Sequence, residues 1–341
     1  MKDIEFDWPI LGQERIKTFL QKSLANEAFS HAYLFLGPEN IGKTKTAKLM
    51  AESLLCHNFS SRSGNSLKVP CGECAHCQQF EKGIHPDVYF LELEKKEGFD
   101  ELKNQISVKQ VRGLQSRISK HAFLNSYKVV IAPRADFLTA EAQNSLLKTL
   151  EEPARKTVLF LIADSRKSLL DTIASRCQII NFNLIGRHDI YDYLLGHSAN
   201  RDQAKDFSKL AFGRPTRAMK LFSHPDDFAS LRDSQIRFLE SLDSGLADRF
   251  IFAASASEKN KEQIIDNATE WQGLLRDVLL VLTENDSEIS NRFAEANLRT
   301  LAGKYRVSQI RELIARLEKL KLNVNKNINI KLMLENFFLT I

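Results

Sequence analysis

The segment Gly37-Pro38-Glu39-Asn40-Ile41-Gly42-Lys43-Thr44 fills every fixed position of the pattern G-x-x-x-x-G-K-[ST]. The chemistry such a loop supports is the holding of a nucleotide's phosphates. Gly37 and Gly42 let backbone N–H groups curl around phosphate oxygens, and the start of the following helix adds a favourable dipole. Lys43 reaches the outer phosphates, and the Thr44 hydroxyl can hold Mg²⁺. The competing reading is a glycine turn without a ligand. The flanks argue against it: Ala32-Tyr33-Leu34-Phe35-Leu36 reads as a buried strand, and Thr44 to Leu55 as a helix with Ala47, Met50, Ala51 and Leu54 on one face.

Cysteine supplies the second constellation. Cys56, Cys71, Cys74 and Cys77, out of five cysteines, crowd into one short segment. In a cytosolic chain this favours a metal over disulfides. Thiolates bind Zn²⁺ tetrahedrally, and Cys-x-x-Cys spacing lets two sulfurs converge on one ion about 2.3 Å away. Two overlapping steps in Cys71 to Cys77, with Cys56 as the fourth ligand, predict a closed structural Zn²⁺ site that leaves water no position and serves stability rather than catalysis. A redox or unliganded cluster is the alternative, and His57 or His76 can substitute for one cysteine.

The elements that position these residues come from a chain of 341 residues with 43% hydrophobic content, long enough for two or three domains with real cores. No run of about 18 apolar residues occurs. The start, Met1-Lys2-Asp3-Ile4-Glu5, is mixed in charge rather than a basic-then-apolar leader, so a soluble cytoplasmic protein is expected. The net charge of +5 is spread through both signs, which permits contact with nucleic acid without pointing to it.

Trp8-Pro9-Ile10-Leu11-Gly12-Gln13 leads into an amphipathic helix from Glu14 to Leu24; this entry lies either against an adenine ring or in ordinary surface packing. Ser60 to Ser66 reads as a polar loop, Asp87 to Leu93 as a strand and Lys95 to Lys103 as a loop. A helix over Val108 to Ser119, a strand over Lys128 to Ala132, a helix over Thr139 to Leu150 and strands over Thr157 to Ala163 and Gln178 to Phe182 complete the series. Strands separated by helical segments predict an α/β domain, a mostly parallel sheet with helices on both faces, with the nucleotide at the carboxyl ends of the strands. From Ile185 onward amphipathic helices dominate, with a break near Ser223-His224-Pro225-Asp226. The expected division is therefore 1–184, 185–224 and 225–341. Apolar stripes at Trp271 to Leu279, Ile310 to Leu322 and Leu332 to Leu339 read as core or subunit interface.

Several motifs occur in order: His31-Ala-Tyr-Leu-Phe-Leu-Gly-Pro-Glu-Asn-Ile-Gly-Lys43, the four-cysteine insert, His85-Pro86-Asp87, Asn144-Ser-Leu-Leu-Lys-Thr-Leu-Glu-Glu-Pro153, Ser175-Arg176-Cys177 and Gly213-Arg214-Pro215. Together they resemble the AAA+ clamp-loader family of bacterial DNA polymerase III. The resemblance covers most of residues 8–222 and, more loosely, the tail from Asn325 to Leu339. The gamma/tau motor subunits share several motifs; length and the lack of a long C-terminal extension favour the delta-prime kind. The resemblance implies an AAA+ nucleotide-binding domain, a small helical lid and an all-α C-terminal collar. It also implies gamma/tau and delta subunits as partners, and the sliding clamp and primer–template DNA reached through the assembled complex; no membrane partner is expected.

Individual positions refine that expectation. An active ATPase of this class carries an acidic pair after the strand that here is Lys128 to Ala132, one carboxylate for Mg²⁺ and one for the attacking water. Here Pro133 and Arg134 occupy those places. ATP or ADP with Mg²⁺ is thus expected to bind at Gly37, Gly42, Lys43 and Thr44 with turnover absent or very weak. Asp164 stands at the usual first-sensor position, where an acid repels a triphosphate. On the residues alone Arg176 is a surface arginine in a tight turn; the resemblance makes it a finger inserted into a neighbouring subunit's site. Arg217 resembles a second sensor in the lid. Two rivals stand beside this expectation. One is an active motor of the same ring, with Asp136 or Glu141 replacing the acidic pair. The other is a zinc-dependent nucleic-acid-binding protein, against which Gly72-Glu73 and Ala75-His76 carry no Lys or Arg.

Overall fold

The structure is a computed structural model that describes residues 4–61, 67–95, 103, 105–120, 122–124, 127–259, 261–324 and 329–339. The expected loops Ser60 to Ser66 and Lys95 to Lys103, and the start of the tail from Asn325, lie largely or partly outside the described residues. The chain separates into two compact units, one of Met1–Ile190 with Gly213–Thr216, the other of Tyr191–Phe212 with Arg217–Ile341.

The first unit holds the strands β1 (Ile4–Phe6), β2 (Ala32–Leu36), β3 (Leu67–Val69), β4 (Val88–Phe90), β5 (Lys128–Ala132), β6 (Thr157–Ala163) and β7 (Gln178–Asn181). β1 and β3 form a small parallel pair. The others form a sheet in the order β4-β5-β6-β2-β7, parallel throughout. Around them lie α1 (Glu14–Ala25), α2 (Lys43–Leu55), α3 (His57–Ser61), α4 (Ala75–Glu81), α5 (Val108–Ile118), α6 (Ala140–Glu151) and α7 (Asp171–Ala174).

The central strands are apolar runs because both of their faces are covered. Successive side chains alternate between two cores. Tyr33, Phe35, Phe160 and Ile162 face one, with Leu20 and Leu24 of α1 and Met50 and Leu54 of α2. Ala32, Leu34, Leu159 and Leu161 face the other, with Val111 and Leu114 of α5 and Leu146 and Leu150 of α6. The α/β expectation is met. Helix starts carry their own signals: Ser107 and Gln110 make a reciprocal capping box at α5, and Thr139 accepts from the Ala142 N–H at α6.

β2, β5 and β6 match the expected bounds to the residue, whereas β4 stops at Phe90 rather than Leu93. Its partner β5 runs into Pro133, which has no N–H to carry the ladder further. The small β1–β3 pair and helix α4 were not expected from the sequence.

After β7 no strand occurs among the described residues. α8 (Arg187–Gly196), α9 (Arg201–Leu210), α10 (Pro215–Ser223), α11 (Pro225–Asp243), α12 (Leu246–Ser257), α13 (Lys261–Leu282), α14 (Glu295–Lys304), α15 (Val307–Val324) and α16 (Ile330–Leu339) follow. The break near Ser223 falls between α10 and α11, with Pro225 at the first turn of α11, where its missing N–H is harmless. In the second unit the stripes face a common core: Phe238 of α11 stacks on Trp271 of α13 at 4.6 Å, with Leu317 of α15 and Phe338 of α16 buried in the same cluster. No helix of the described residues is long and apolar enough to cross a membrane.

Candidate functional site

Because the sheet is parallel, β2, β5 and β6 end on one edge, and three loops leave it side by side. Leu36 pairs with Ala163, so the next residues, Gly37 and Asp164, emerge abreast. The phosphate-loop pattern occupies the turn from β2 into α2, the strand–loop–helix context it requires. Gly37 has φ 140° and a Cβ there would stand 2.4 Å from the Phe182 carbonyl oxygen, so only glycine fits. Gly42, with φ 97°, starts α2.

Lys43 is buried, with its ammonium turned back onto the loop. It donates to the carbonyl oxygen of Gly37, to that of Pro38 at 2.9 Å, and to Asp164 Oδ1 at 2.8 Å. Thr44 is half-buried at the helix start. On the adjoining loop, Arg134 Nη1 stands 3.6 Å from Glu39 Oε1 and the Arg134 guanidinium lies 4.2 Å from the Phe137 ring centre. Asp136 follows in the turn Ala135–Phe137. Burial pushes its carboxyl above the usual range, Arg134 draws it partly back, and Asp164 and Lys43 act on it more weakly. The sequence-predicted loop residues, Asp164 and Asp136 therefore share one charge cluster, while Glu141 is exposed in the first turn of α6.

Trp8 belongs to the core under α2. It is 5% exposed, meets Phe6 edge-on and donates through Nε1 to Ser53 Oγ at 3.0 Å, which fixes the N-terminal segment on α2.

Arg176 follows α7. A buried glutamine positions that turn: Gln143 of α6 donates to the Leu138 and Ser168 carbonyl oxygens and accepts from the Leu170 N–H at 2.8 Å. Ile173 and Ala174 then anchor α7 in the core, which leaves Arg176 partly exposed. Its guanidinium donates to the Thr172 carbonyl oxygen at 3.0 Å and pairs with Glu151 Oε1 at 2.8 Å. Sequence reading missed Gln143; its polarity on the apolar face of α6 was the available signal.

Arg217, in the second unit, is engaged differently. It pairs with Glu270 Oε1 at 2.5 Å, where the two side chains are only 13% and 12% exposed. Gln235 also donates to Glu270, and the Arg217 guanidinium lies 5.4 Å from the Phe212 ring centre.

The four cysteines converge. Sγ atoms of Cys56, Cys71, Cys74 and Cys77 lie within 4.8 Å of one another, with Cys71 and Cys77 4.0 Å apart. A tetrahedron of sulfurs about 2.3 Å from a zinc ion has edges of about 3.8 Å, so this group can hold a metal ion by drawing slightly closer together. The backbone helps: N–H groups of Cys71, Cys74 and Cys77 point at the sulfurs of Cys56, Cys71 and Cys74 at 3.4, 3.4 and 3.5 Å. The Cys77 thiol beside Cys56 lowers Cys56 to about 5. Cys56 caps the end of α2 and Cys74 caps the start of α4, so the cluster joins two helices. Neither His57 nor His76 belongs to it; His76 Nδ1 lies 3.0 Å from His85 Nε2. The adjoining Asp87 is buried and accepts from the Phe123 and Leu124 N–H groups at 2.7 and 2.9 Å, a structural task that explains an acid in that motif.

With this geometry in place, similarity to known proteins is informative. A family profile described as "DNA polymerase III, delta subunit" matches residues 12–185. DNA polymerase III subunit delta' of Bacillus subtilis is 29% identical over 332 residues, which are 96% of this chain and 95% of that protein. Subunit delta' of Pseudomonas aeruginosa is 41% identical over 148 residues, 43% of this chain and 42% of that protein. Subunit tau of Bacillus subtilis is 34% identical over 176 residues, 52% of this chain but only 29% of that protein.

The raised carboxyl of Asp136 has a thermodynamic consequence. The folded protein holds this proton more tightly than the unfolded chain, so the contribution to stability is present below the ordinary value of 3.8 and lost as pH rises through the raised one. Asparagine cannot ionise. Urea denaturation of Asp136→Asn is expected to show stability relative to the natural chain that improves as pH rises from 3.8 towards neutrality; a pH-independent difference contradicts the assignment.

Proposed function

This chain belongs to the DNA polymerase III delta subunit family, and from that premise we propose that it completes the clamp-loader ring as a stationary subunit that does not hydrolyse ATP. It is a clamp-loader subunit of the delta-prime kind, working with gamma/tau and delta subunits in the cytoplasm. The sliding clamp and primer–template DNA are reached through the assembled complex. In this reading residues 1–184 are the nucleotide-binding domain, 185–224 the lid and 225–341 the collar that joins the ring.

The observation that carries the absence of hydrolysis is the end of β5, where the chain passes from Ala132 into Pro133 and Arg134. Turnover needs a carboxylate for Mg²⁺ and another for the attacking water. An imino acid and a cation do neither. Asp136 is the residue that favours the rival motor reading, since it feels Lys43, but burial drives it towards its neutral form. Gly37, Gly42, Lys43 and Thr44 are then a site for ATP or ADP without turnover. Arg217, the second-sensor candidate, is paired with Glu270 at 2.5 Å, and a phosphate would have to replace that carboxylate.

Arg176 is the finger offered to the neighbouring ATPase. Its ion pair with Glu151 is on the surface, where such pairs are worth about 0–1 kcal/mol, so the guanidinium leaves it at little cost. In the neighbour's site it neutralises charge building on the γ-phosphate, and fingers supplied in trans contribute about 10³–10⁵ in rate.

Zn²⁺ is the ion we assign to Cys56, Cys71, Cys74 and Cys77. When bound it supplies folding free energy rather than reactivity, since all four positions are sulfur. It ties the end of α2 to α4. The absence of Lys or Arg within Cys71 to Cys77 weighs against a nucleic-acid reader there.

Two experiments test these roles. In ATP hydrolysis assays the isolated chain is expected to show no turnover that Lys43→Ala removes, while Arg176→Ala, added to gamma/tau and delta, lowers the turnover of the neighbouring site by about 10³-fold or more. Unchanged turnover with Arg176→Ala removes the finger role. For the metal, elemental analysis of the purified chain is expected to give about one zinc per chain. Cys71→Ser then loses the ion and lowers the melting temperature; a zinc-free protein of undiminished stability argues for an unliganded cluster.

A further inference from the structure

An ammonium group has three N–H donors. Those of Lys43 meet three acceptors, the Gly37 and Pro38 carbonyl oxygens and Asp164 Oδ1, and the side chain is 6% exposed. Alongside, Arg134 is within 3.6 Å of Glu39, a residue of the phosphate loop itself. Both cations that a polyphosphate would seek are thus already faced by carboxylates of the same site. Register rather than a loose loop puts Asp164 there, because Leu36 and Ala163 are partners and the residues after them leave the sheet together.

We propose that Asp164 sets the nucleotide affinity of this site: its carboxylate holds Lys43 in place of a phosphate oxygen, and a nucleotide binds only by displacing it. This rests on the reading of Gly37 to Thr44 as the nucleotide site. The pair opens from one side. Asp164 is 45% exposed and turns to water readily, whereas Lys43 at 6% stays where it is and accepts the incoming phosphate. Displacement alone does not remove the carboxylate from the neighbourhood, so a triphosphate still meets a like charge there. Asparagine at this position keeps the shape and a carbonyl acceptor for Lys43 and removes the negative charge.

The test is a titration of the full chain with a fluorescent ribose-labelled ATP, and separately the corresponding ADP, in the presence of Mg²⁺. Asp164→Asn is expected to bind about tenfold tighter than the natural chain or better, and Asp164→Ser gives the same direction if the asparagine variant folds poorly. Adding Lys43→Ala to Asp164→Asn should abolish the gain. Equal binding by the natural and Asp164→Asn chains overturns the proposal, and so does weaker binding, which would make the carboxylate a partner of nucleotide or metal. A gain that survives Lys43→Ala means that the loop is not the nucleotide site, so the underlying reading fails with it. ATP turnover measured on the same samples separates the hydrolysis question: turnover by Asp164→Asn would overturn the non-hydrolysing assignment while leaving the role of Asp164 in affinity intact.

Discussion

Parallel pairing of β2 with β6, and of β6 with β5, is the constraint from which the site follows. A one-residue slip would separate Gly37 from Asp164 and exchange the two faces of a strand. In a strand that is apolar on both faces the hydrophobic pattern alone resists such a slip weakly. Side-chain size supplies the missing discrimination. Tyr33, Phe35 and Phe160 crowd the face under α1 and α2, with Tyr33 stacked on Phe160 at 5.6 Å, while the opposite face carries Ala32, Leu34, Leu159 and Ala163. Shifting β2 would press rings into the aliphatic layer and leave voids in the aromatic one, and both over-packing and cavities destabilise. The packing that fixes register therefore also fixes which charges meet above the sheet.

That dependence explains what could be read before the fold was known. β2, β5 and β6 were legible to the residue because each is apolar apart from a polar first residue in β5 and β6, and the phosphate loop was legible because its glycines and lysine sit at fixed spacing. β1 and β3 were not. Each has three residues, too short for a period, and Ile4 pairs with Leu67 across a separation that no local pattern encodes. Gln143 was missed for a similar reason, since its partners at Ser168 and Leu170 follow a further strand. The cysteine group falls between these cases: spacing named its members, but the helix start at Cys74 that turns its sulfur inward came only with the structure.

Charge identity was likewise easier to read than charge pairing. Glu39, Lys43, Arg134, Asp136 and Asp164 can each be placed after the ends of predicted strands from the sequence, yet which cation neutralises which anion depends on strand order and loop path. The outcome is a site whose opposite charges largely satisfy one another. In a motor subunit the corresponding edge would present unpaired acid to metal and water. Here Arg134 faces Glu39 and Asp164 faces the loop lysine. Arg134 at the end of β5 and the Lys43–Asp164 pair are separate features, set by the path of one loop and by the register of β2 with β6 respectively.

The two arginines outside this edge show why burial decides what an ion pair permits. Arg176 and Glu151 are 37% and 50% exposed, so water takes over either partner when they separate, and little stability is tied up in the pair. Arg217 and Glu270 are 13% and 12% exposed, and Gln235 also leans on the glutamate. Pulling Arg217 away leaves a largely covered carboxylate with Gln235 as a neutral partner, a greater loss than parting a surface pair. A side chain that must reach another molecule has to be released easily, and one that holds a helical core together must not be. By that criterion the Arg176 guanidinium is held loosely at the surface, whereas Arg217 is committed to its own unit.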